Sequence, residues 1–60
     1  MYRIVQYGKQ YKAYDADSQR FVDAGKHLYV TKYKSMKEAL TVADGLRQSG
    51  YTDIYVEAVG

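Results

Sequence analysis

Residue types that carry catalytic or metal chemistry are few in this chain, and their spacing fits none of the common sites. There is one histidine, His27, and no cysteine, so soft or imidazole ligands cannot assemble a transition-metal set. Three aspartates between positions 15 and 23 suggest a calcium loop. Counted from Asp15, however, Arg20 and Lys26 stand where an EF-hand loop requires glycine and glutamate. We expect no metal site.

Nucleophilic and phosphate-binding motifs are also missing. None of the serines lies in a G-x-S-x-G context. A pair formed by His27 and Asp23 is the nearest approach to a catalytic dyad, and a lone histidine beside a turn is usually a surface residue. The Gly-Lys pairs at 8–9 and 25–26 predict turns, because they lack the spaced glycines of a phosphate loop. We therefore expect a protein that is not an enzyme and has no cofactor.

The composition predicts one small domain covering residues 1–60. A chain of this length buries only about 60% of the surface that its unfolded form exposes. The absence of cysteine excludes a disulfide framework and fits a cytoplasmic location. No leader or membrane segment is apparent, and we expect the chain to be complete from Met1. The net charge of +2 is too small to indicate nucleic-acid binding by itself, whereas eight tyrosines are a distinctive feature.

The stretch 33–51 carries the signals of a complete helix. Ser35 and Glu38 form a capping box at its start. Gly50 lies where a left-handed residue ends a helix, and Tyr51 follows it at the position that folds back onto Leu46. The helix should bury one apolar stripe. Its members are Met36, Ala39, Leu40, Ala43 and Leu46.

Four segments have the composition of β-strands. Residues 1–7 and 10–15 predict a hairpin closed by a two-residue type II′ turn at Gly8-Lys9, which places Gln6 opposite Tyr11. Residues 27–33 predict the third strand, and residues 53–59 the fourth. The pair Phe21-Val22 is either a strand extension or a loop plug.

The order of these elements predicts an α+β fold, β-β-β-α-β. Its sheet should be mostly antiparallel, with one helix packed on one face. The fourth strand should return parallel through a right-handed crossover, beside strand one or strand three. A single helix covers one face of a sheet, so the other face is solvated or occupied by a partner.

The second sheet face is the best candidate for a binding site. In the predicted register it combines basic groups, which bind phosphates, with tyrosines, which stack on bases or anchor protein interfaces. A solvated face with no role in binding is the third alternative. The candidate residues are Arg3, Tyr7, Lys12, Tyr14, Tyr29 and Tyr33.

Parts of the chain resemble the AP2-type DNA-binding domain and the arm-binding domains of phage integrases. Tyr2-Arg3, Gly8-Lys9 followed by Tyr11, and the helix entry at 33–39 carry the resemblance, which covers about residues 1–49. It implies a three-stranded sheet in the major groove, backed by a helix. The DNA-facing positions would then be Arg3, Lys12, Tyr14 and Tyr29.

The leading hypothesis from the sequence is a small non-enzymatic domain that binds DNA through the tyrosine-rich, basic sheet face. The alternative is a protein-binding regulator or inhibitor that acts through this face or through a strand edge, either alone or as a homodimer. Proteins of phages and mobile elements share this tyrosine-rich, cysteine-free character. The identity of the partner is left open by these residues.

Overall fold

The computed structural model describes residues 1–25 and 30–59. Four strands form one antiparallel sheet in the order β3-β2-β1-β4, and a single helix packs on it. The predicted α+β architecture, β-β-β-α-β, is confirmed. The elements are β1 (Tyr2–Tyr7), β2 (Tyr11–Asp15), β3 (Arg20–Asp23), α1 (Met36–Gln48) and β4 (Ile54–Ala58).

The third strand differs from the prediction. β3 is Arg20–Asp23, which contains the Phe21-Val22 pair and returns against β2 after a turn of four residues. The strand expected over 27–33 lies partly outside the described residues. In its described part, residues 30–32 are not strand and Tyr33 forms an isolated bridge to Tyr2. The third strand forms at Arg20–Asp23 because this segment follows β2 after only four residues. Closing so short a loop costs little conformational entropy.

The register of the first hairpin is also shifted from the prediction. Tyr7 pairs with Tyr11, so the loop contains three residues, 8–10, and Gln6 lies opposite Lys12. A type II′ turn needs a positive φ at its first central residue. Gly50 is the only described glycine with a positive φ, so Gly8 does not supply one. A shift of one residue moves every β2 side chain to the opposite face of the sheet.

β4 lies beside β1 at one edge of the sheet and runs antiparallel to it, so the expected parallel pairing is wrong. The bridge of Tyr33 to Tyr2 is antiparallel as well. The segment that enters the helix and the strand that leaves it are therefore parallel to each other. They lie on opposite sides of β1 instead of pairing with each other. The two segments run parallel, but β1 separates them.

The ends of α1 confirm Ser35 as the N-cap and Gly50 as the left-handed residue that follows the helix. The Ser35 Oγ accepts the backbone N–H of Glu38 at 3.1 Å. At the other end Gly50 has a φ of +107°, and its N–H donates to the Arg47 carbonyl at 3.0 Å, while the Tyr51 N–H donates to the Leu46 carbonyl at 3.1 Å. These two bonds are those of a Schellman motif. No helix in the described part of the chain is long and apolar enough to cross a membrane.

The side of α1 that packs on the sheet is rotated from the predicted stripe. Ala39 and Ala43 are fully buried, and Val42 and Leu46 pack against the same core. Met36 and Leu40, which the stripe placed inside, are 49% and 45% exposed. The helix contacts β4 and β1, and small alanines let its backbone approach the strands closely. The buried residues of this core are Ile4, Tyr33, Ala39, Ala43 and Ile54.

A second, smaller core lies on the opposite side of the sheet. Val5 and Ala13 are fully buried there under Val30, and Val22 and Ala24 pack around them. Val30 and Ala24 thus lie on the face that α1 leaves uncovered. This face is only partly open to solvent.

Candidate interaction surface

The face of the sheet opposite α1 is called the outer face here. Strand pairing places on it one side chain from every second position of each strand. Within the outer face, five side chains of β1, β2 and β4 form one connected cluster, the tyrosine patch. The outer face consists of Arg3, Val5, Tyr7, Tyr11, Ala13, Asp15, Arg20, Val22, Tyr55 and Glu57. The tyrosine patch consists of Arg3, Tyr7, Tyr11, Tyr55 and Glu57.

A three-membered polar network forms one end of the tyrosine patch. Arg3 and Glu57 are direct cross-strand partners, and the Arg3 Nε donates to the Glu57 Oε2 at 2.8 Å. The Arg3 Nη2 also donates to the Tyr11 hydroxyl at 2.9 Å, and that hydroxyl donates to the same Glu57 oxygen. The guanidinium carbon lies 5.6 Å from the centre of the Tyr11 ring. One carboxylate therefore anchors both neighbouring side chains.

Ionisation of these groups is coupled through the same contacts. The Tyr11 hydroxyl, followed by Arg3, lowers the pKa of the Glu57 carboxyl although burial opposes this. Burial, together with the bond to Glu57, raises the pKa of the Tyr11 hydroxyl. Burial alone would lower the pKa of Arg3, but its bonds to Glu57 and Tyr11 outweigh this and raise it. At neutral pH the network consists of a carboxylate, a phenol and a guanidinium.

Three aromatic rings extend the patch away from this network. Tyr7 and Tyr11 are opposite each other in the hairpin, and their ring centres are 5.1 Å apart in a stacked arrangement. Tyr55 meets Tyr7 edge to face at 5.5 Å. Tyr7 and Tyr55 are 50% and 51% exposed. The three rings form a row across β2, β1 and β4 near the hairpin end of the sheet, held by mutual contacts, and each residue is still more than a third exposed.

Only two of the six candidate residues named from the sequence lie in the tyrosine patch. Arg3 and Tyr7 are in it, as expected. Lys12 and Tyr14 project to the helix side, because the hairpin register is shifted by one residue. Tyr33 is buried in the core under α1, where burial raises the pKa of its hydroxyl. Tyr29 lies outside the described residues.

Lys12 and Tyr14 have different surroundings on the helix side. The Tyr14 ring packs against Phe21 with ring centres 5.2 Å apart, so it closes the core over β2 and β3. Lys12 lines an open hollow of about 380 Å³, beside Lys9 and Asp53. Neither residue shares a face with Arg3. The residues that the resemblance to the AP2-type domain would place against DNA therefore lie on two different faces of the sheet.

Three members of the patch were not among the sequence candidates: Tyr11, Tyr55 and Glu57. The alternation of Ile54, Val56 and Ala58 already places Tyr55 and Glu57 on the side away from the helix. Their meeting with Arg3 and Tyr7 follows from the pairing of β4 with β1, which the sequence leaves open. Tyr11 is missed through the one-residue register shift.

The described ranges contain no group of three or more His, Cys, Asp or Glu side chains placed to hold a metal ion. Comparisons of the chain with protein-family models, with curated proteins and with solved structures found no match. Function is therefore inferred from the geometry and charge of the tyrosine patch alone.

Proposed function

We propose that this protein is a small non-enzymatic binding domain whose tyrosine patch docks another protein. The observation that carries the proposal is the combination of exposed, mutually packed tyrosines with an arginine already paired to a carboxylate. Tyrosine and arginine are the residues that most often dominate protein interfaces, because they supply large, rigid contact area and a polar tip.

The charge of the outer face argues against phosphate as the ligand. Its strand residues include two arginines, Arg3 and Arg20, and two carboxylates, Asp15 and Glu57. Arg3 is bonded to Glu57, and Lys12 points to the other side of the sheet. Affinity for nucleic acid comes largely from cations that neutralise phosphates. The described strand residues of this face carry no net formal charge and lack this contribution, which favours the protein-binding alternative over the DNA-binding hypothesis.

The rings themselves favour a protein partner for a second reason. Tyr7 and Tyr55 have no hydrogen-bond partner for their hydroxyls among the described residues. Their ring positions are already fixed by the contacts with each other and with Tyr11. A partner that brings apolar side chains and one or two carbonyl acceptors would therefore gain contacts without having to order these side chains.

The test is a comparison of binding by the wild-type chain and by the double variant Tyr7→Ser, Tyr55→Ser. Each chain is immobilised and exposed to an extract of the cells that express this protein. The protein that the wild type retains is then purified, and calorimetry measures its affinity for both chains. We expect the double variant to lose about 30-fold or more in affinity. Affinity of the wild type should depend only weakly on salt.

Tyr51→Ser is the matched control, since Tyr51 is exposed on the helix side and packs on Phe21. It removes an equal side chain away from the patch and should keep the affinity. A parallel NMR titration with short single-stranded and duplex DNA distinguishes the other ligand class. Saturable amide shifts at Tyr7, Tyr11 and Tyr55 that fade with added salt would replace our proposal with nucleic-acid binding. Equal binding of the partner by the double variant would remove the patch from the interface.

A further inference from the structure

We propose that β4 pairs with β4 of a second copy of this chain, which forms a symmetric dimer with one continuous sheet. Such a dimer does not depend on the partner of the tyrosine patch. β4 is an edge strand of the sheet. An edge strand presents unpaired N–H and C=O groups that another strand can use.

The pairing with β1 identifies which backbone groups of β4 are free. Met1 and Val59 exchange both of their hydrogen bonds, and the Tyr7 N–H donates to the Asp53 carbonyl. In an antiparallel pair such bonded positions alternate. The odd-numbered residues of β4 therefore bond to β1, whereas Ile54, Val56 and Ala58 direct their backbone groups outward.

Along this row of groups, Ala58 is exposed and Val56 is half-buried, whereas Ile54 is only 2% exposed. Of the outward-directed groups, only the Ile54 carbonyl has a partner among the described residues, the Arg47 Nη2 at 2.6 Å. A carbonyl oxygen has two lone pairs and can accept a second bond. β4 also contains neither proline nor lysine, two residues that often protect an edge, and its one charged side chain, Glu57, is paired with Arg3.

The flank of α1 that overhangs β4 carries two apolar side chains that are left exposed. At 100° per residue, Met36, Leu40 and Arg47 lie within about 40° of one another around the helix. Arg47 bonds to the outward carbonyl of Ile54, so this flank faces the free edge. Met36 and Leu40 would be covered by the corresponding flank of a second helix, with the two helices on the same side of the joined sheet.

The sequence of β4 is complementary to itself in one register. With Val56 opposite Val56 of the second copy, Ile54 meets Ala58, and Tyr55 meets Glu57. All five strand residues then pair. The open groups of Val56 and Ala58 are used directly, and the Arg47 side chain must shift to let Ile54 pair. A register centred on Glu57 would bring two carboxylates face to face, which disfavours it. The favoured register also sets the two tyrosine patches side by side across the twofold axis.

Light scattering and sedimentation across a concentration series test the proposal directly. We expect the mass to rise from 6.9 kDa to twice that value. Leu40→Glu should raise the dissociation constant about tenfold or more, because it places a charge in the covered stripe. Ala58→Pro should do likewise, since it removes an outward N–H and no bond to β1. Thr41→Glu is the control, because it adds the same charge on the solvent side of α1 and should dimerise normally.

The absence of cysteine from the chain provides a test of the register. A mixture of Tyr55→Cys and Glu57→Cys chains should form a disulfide-linked heterodimer, because directly opposite residues in a non-bonded pair have Cα atoms about 4.5 Å apart. Either variant alone should crosslink poorly. A monomeric mass up to about 1 mM, a dimer that both Leu40→Glu and Ala58→Pro leave intact, or the absence of a crosslink in the mixture overturns the proposal.

Discussion

The two faces of the sheet are built around adjacent residues of one strand. Ile4 and Val5 are both fully buried, Ile4 under α1 and Val5 under Val30. The helix face is covered by one regular element along β1 and β4, and aromatic side chains close it over β2 and β3. On the outer face, the described residues cover Val5 and Ala13, and the tyrosine patch lies beside them.

This difference separates the residues that stabilise the domain from those available to a partner. Side chains under α1 are fixed by apolar packing. Those of the tyrosine patch are fixed by one another, through ring contacts and through the bonds of Glu57 to Arg3 and Tyr11. A surface that is ordered without being covered can bind at low entropic cost. We therefore expect large stability effects on one face and smaller ones on the other.

The largest effect should come from Ile4→Ala on the helix face. Removing most of a fully buried isoleucine side chain costs about 2–5 kcal/mol through lost transfer free energy and the cavity left behind. A 60-residue domain has a total stability of about 3–9 kcal/mol, so this variant should lose a large fraction of the total free energy of unfolding. Circular dichroism during urea denaturation measures the loss.

Ile4→Val keeps the fold measurable if Ile4→Ala unfolds. It should cost about 0.5–1.5 kcal/mol. A cost below this range for Ile4→Val, together with a stable Ile4→Ala variant, would mean that the core under α1 is not the main source of stability.

Val30→Ala tests whether the second core contributes to folding. Val30 covers Val5 and Ala13, and the burial of a valine side chain is worth about 1.5–3 kcal/mol relative to its exposure. We expect a loss at or below this range, and smaller than that of Ile4→Ala. Urea denaturation of both variants gives the comparison. A loss near zero would mean that the outer face is open over its whole width.

The two faces also show which features of the structure can be predicted from the sequence. The helix ends were predictable because Ser35, Glu38 and Gly50 act on backbone groups within one turn of themselves. Arg3 and Tyr7 were assigned to one face correctly because they belong to a single strand. Agreement of this kind needs no information about pairing.

The wrong predictions concern features that depend on which strands pair and in which register. Lys12 and Tyr14 changed face because the loop at 8–10 contains three residues instead of two, and the composition of Gly8-Lys9 does not distinguish the two turns. The composition of residues 27–33 predicts the third strand there. The pair Phe21-Val22, in the strand that begins four residues after β2, forms it instead. Helix orientation was similarly ambiguous, since Met36 and Leu40 fit a 3.6-residue period as well as Val42 does.

Glu57→Gln should have an intermediate effect that depends on pH. It weakens the bonds from Arg3 and Tyr11, and we expect a cost of about 1 kcal/mol at neutral pH. The native state lowers the pKa of Glu57, so its contribution is present above the unfolded pKa near 4.5 and is lost as pH falls through the native pKa. Urea denaturation of both chains from pH 2 to 11 measures the difference.

The alkaline limb of the same experiment reports on Tyr11. Its pKa is raised in the native state, so the associated stability is present below the unfolded pKa near 10.0 and is lost as pH rises through the native pKa. The difference in free energy of unfolding between the wild type and Glu57→Gln should therefore become smaller at both low and high pH. Asp44→Asn is the control, because the ion pair of Asp44 with Arg47 is exposed on α1. A difference in stability that does not change with pH would mean that Glu57 stabilises the domain through its packing and not through its charge.

Gly45→Ala should have an effect as small as that of Glu57→Gln but opposite in sign. Gly45 lies on the solvent side of α1, and a Cβ added there would meet no atom of the described residues within 4 Å. The substitution should stabilise the domain by about 1 kcal/mol, because glycine is the poorer helix former. Ala43→Gly reverses the same exchange on the buried side of the same helix. It should cost more than Gly45→Ala gains, since it also removes a packed methyl group. The difference between the two values measures what contact with the sheet adds to helix propensity, and equal magnitudes would mean that α1 packs loosely at Ala43.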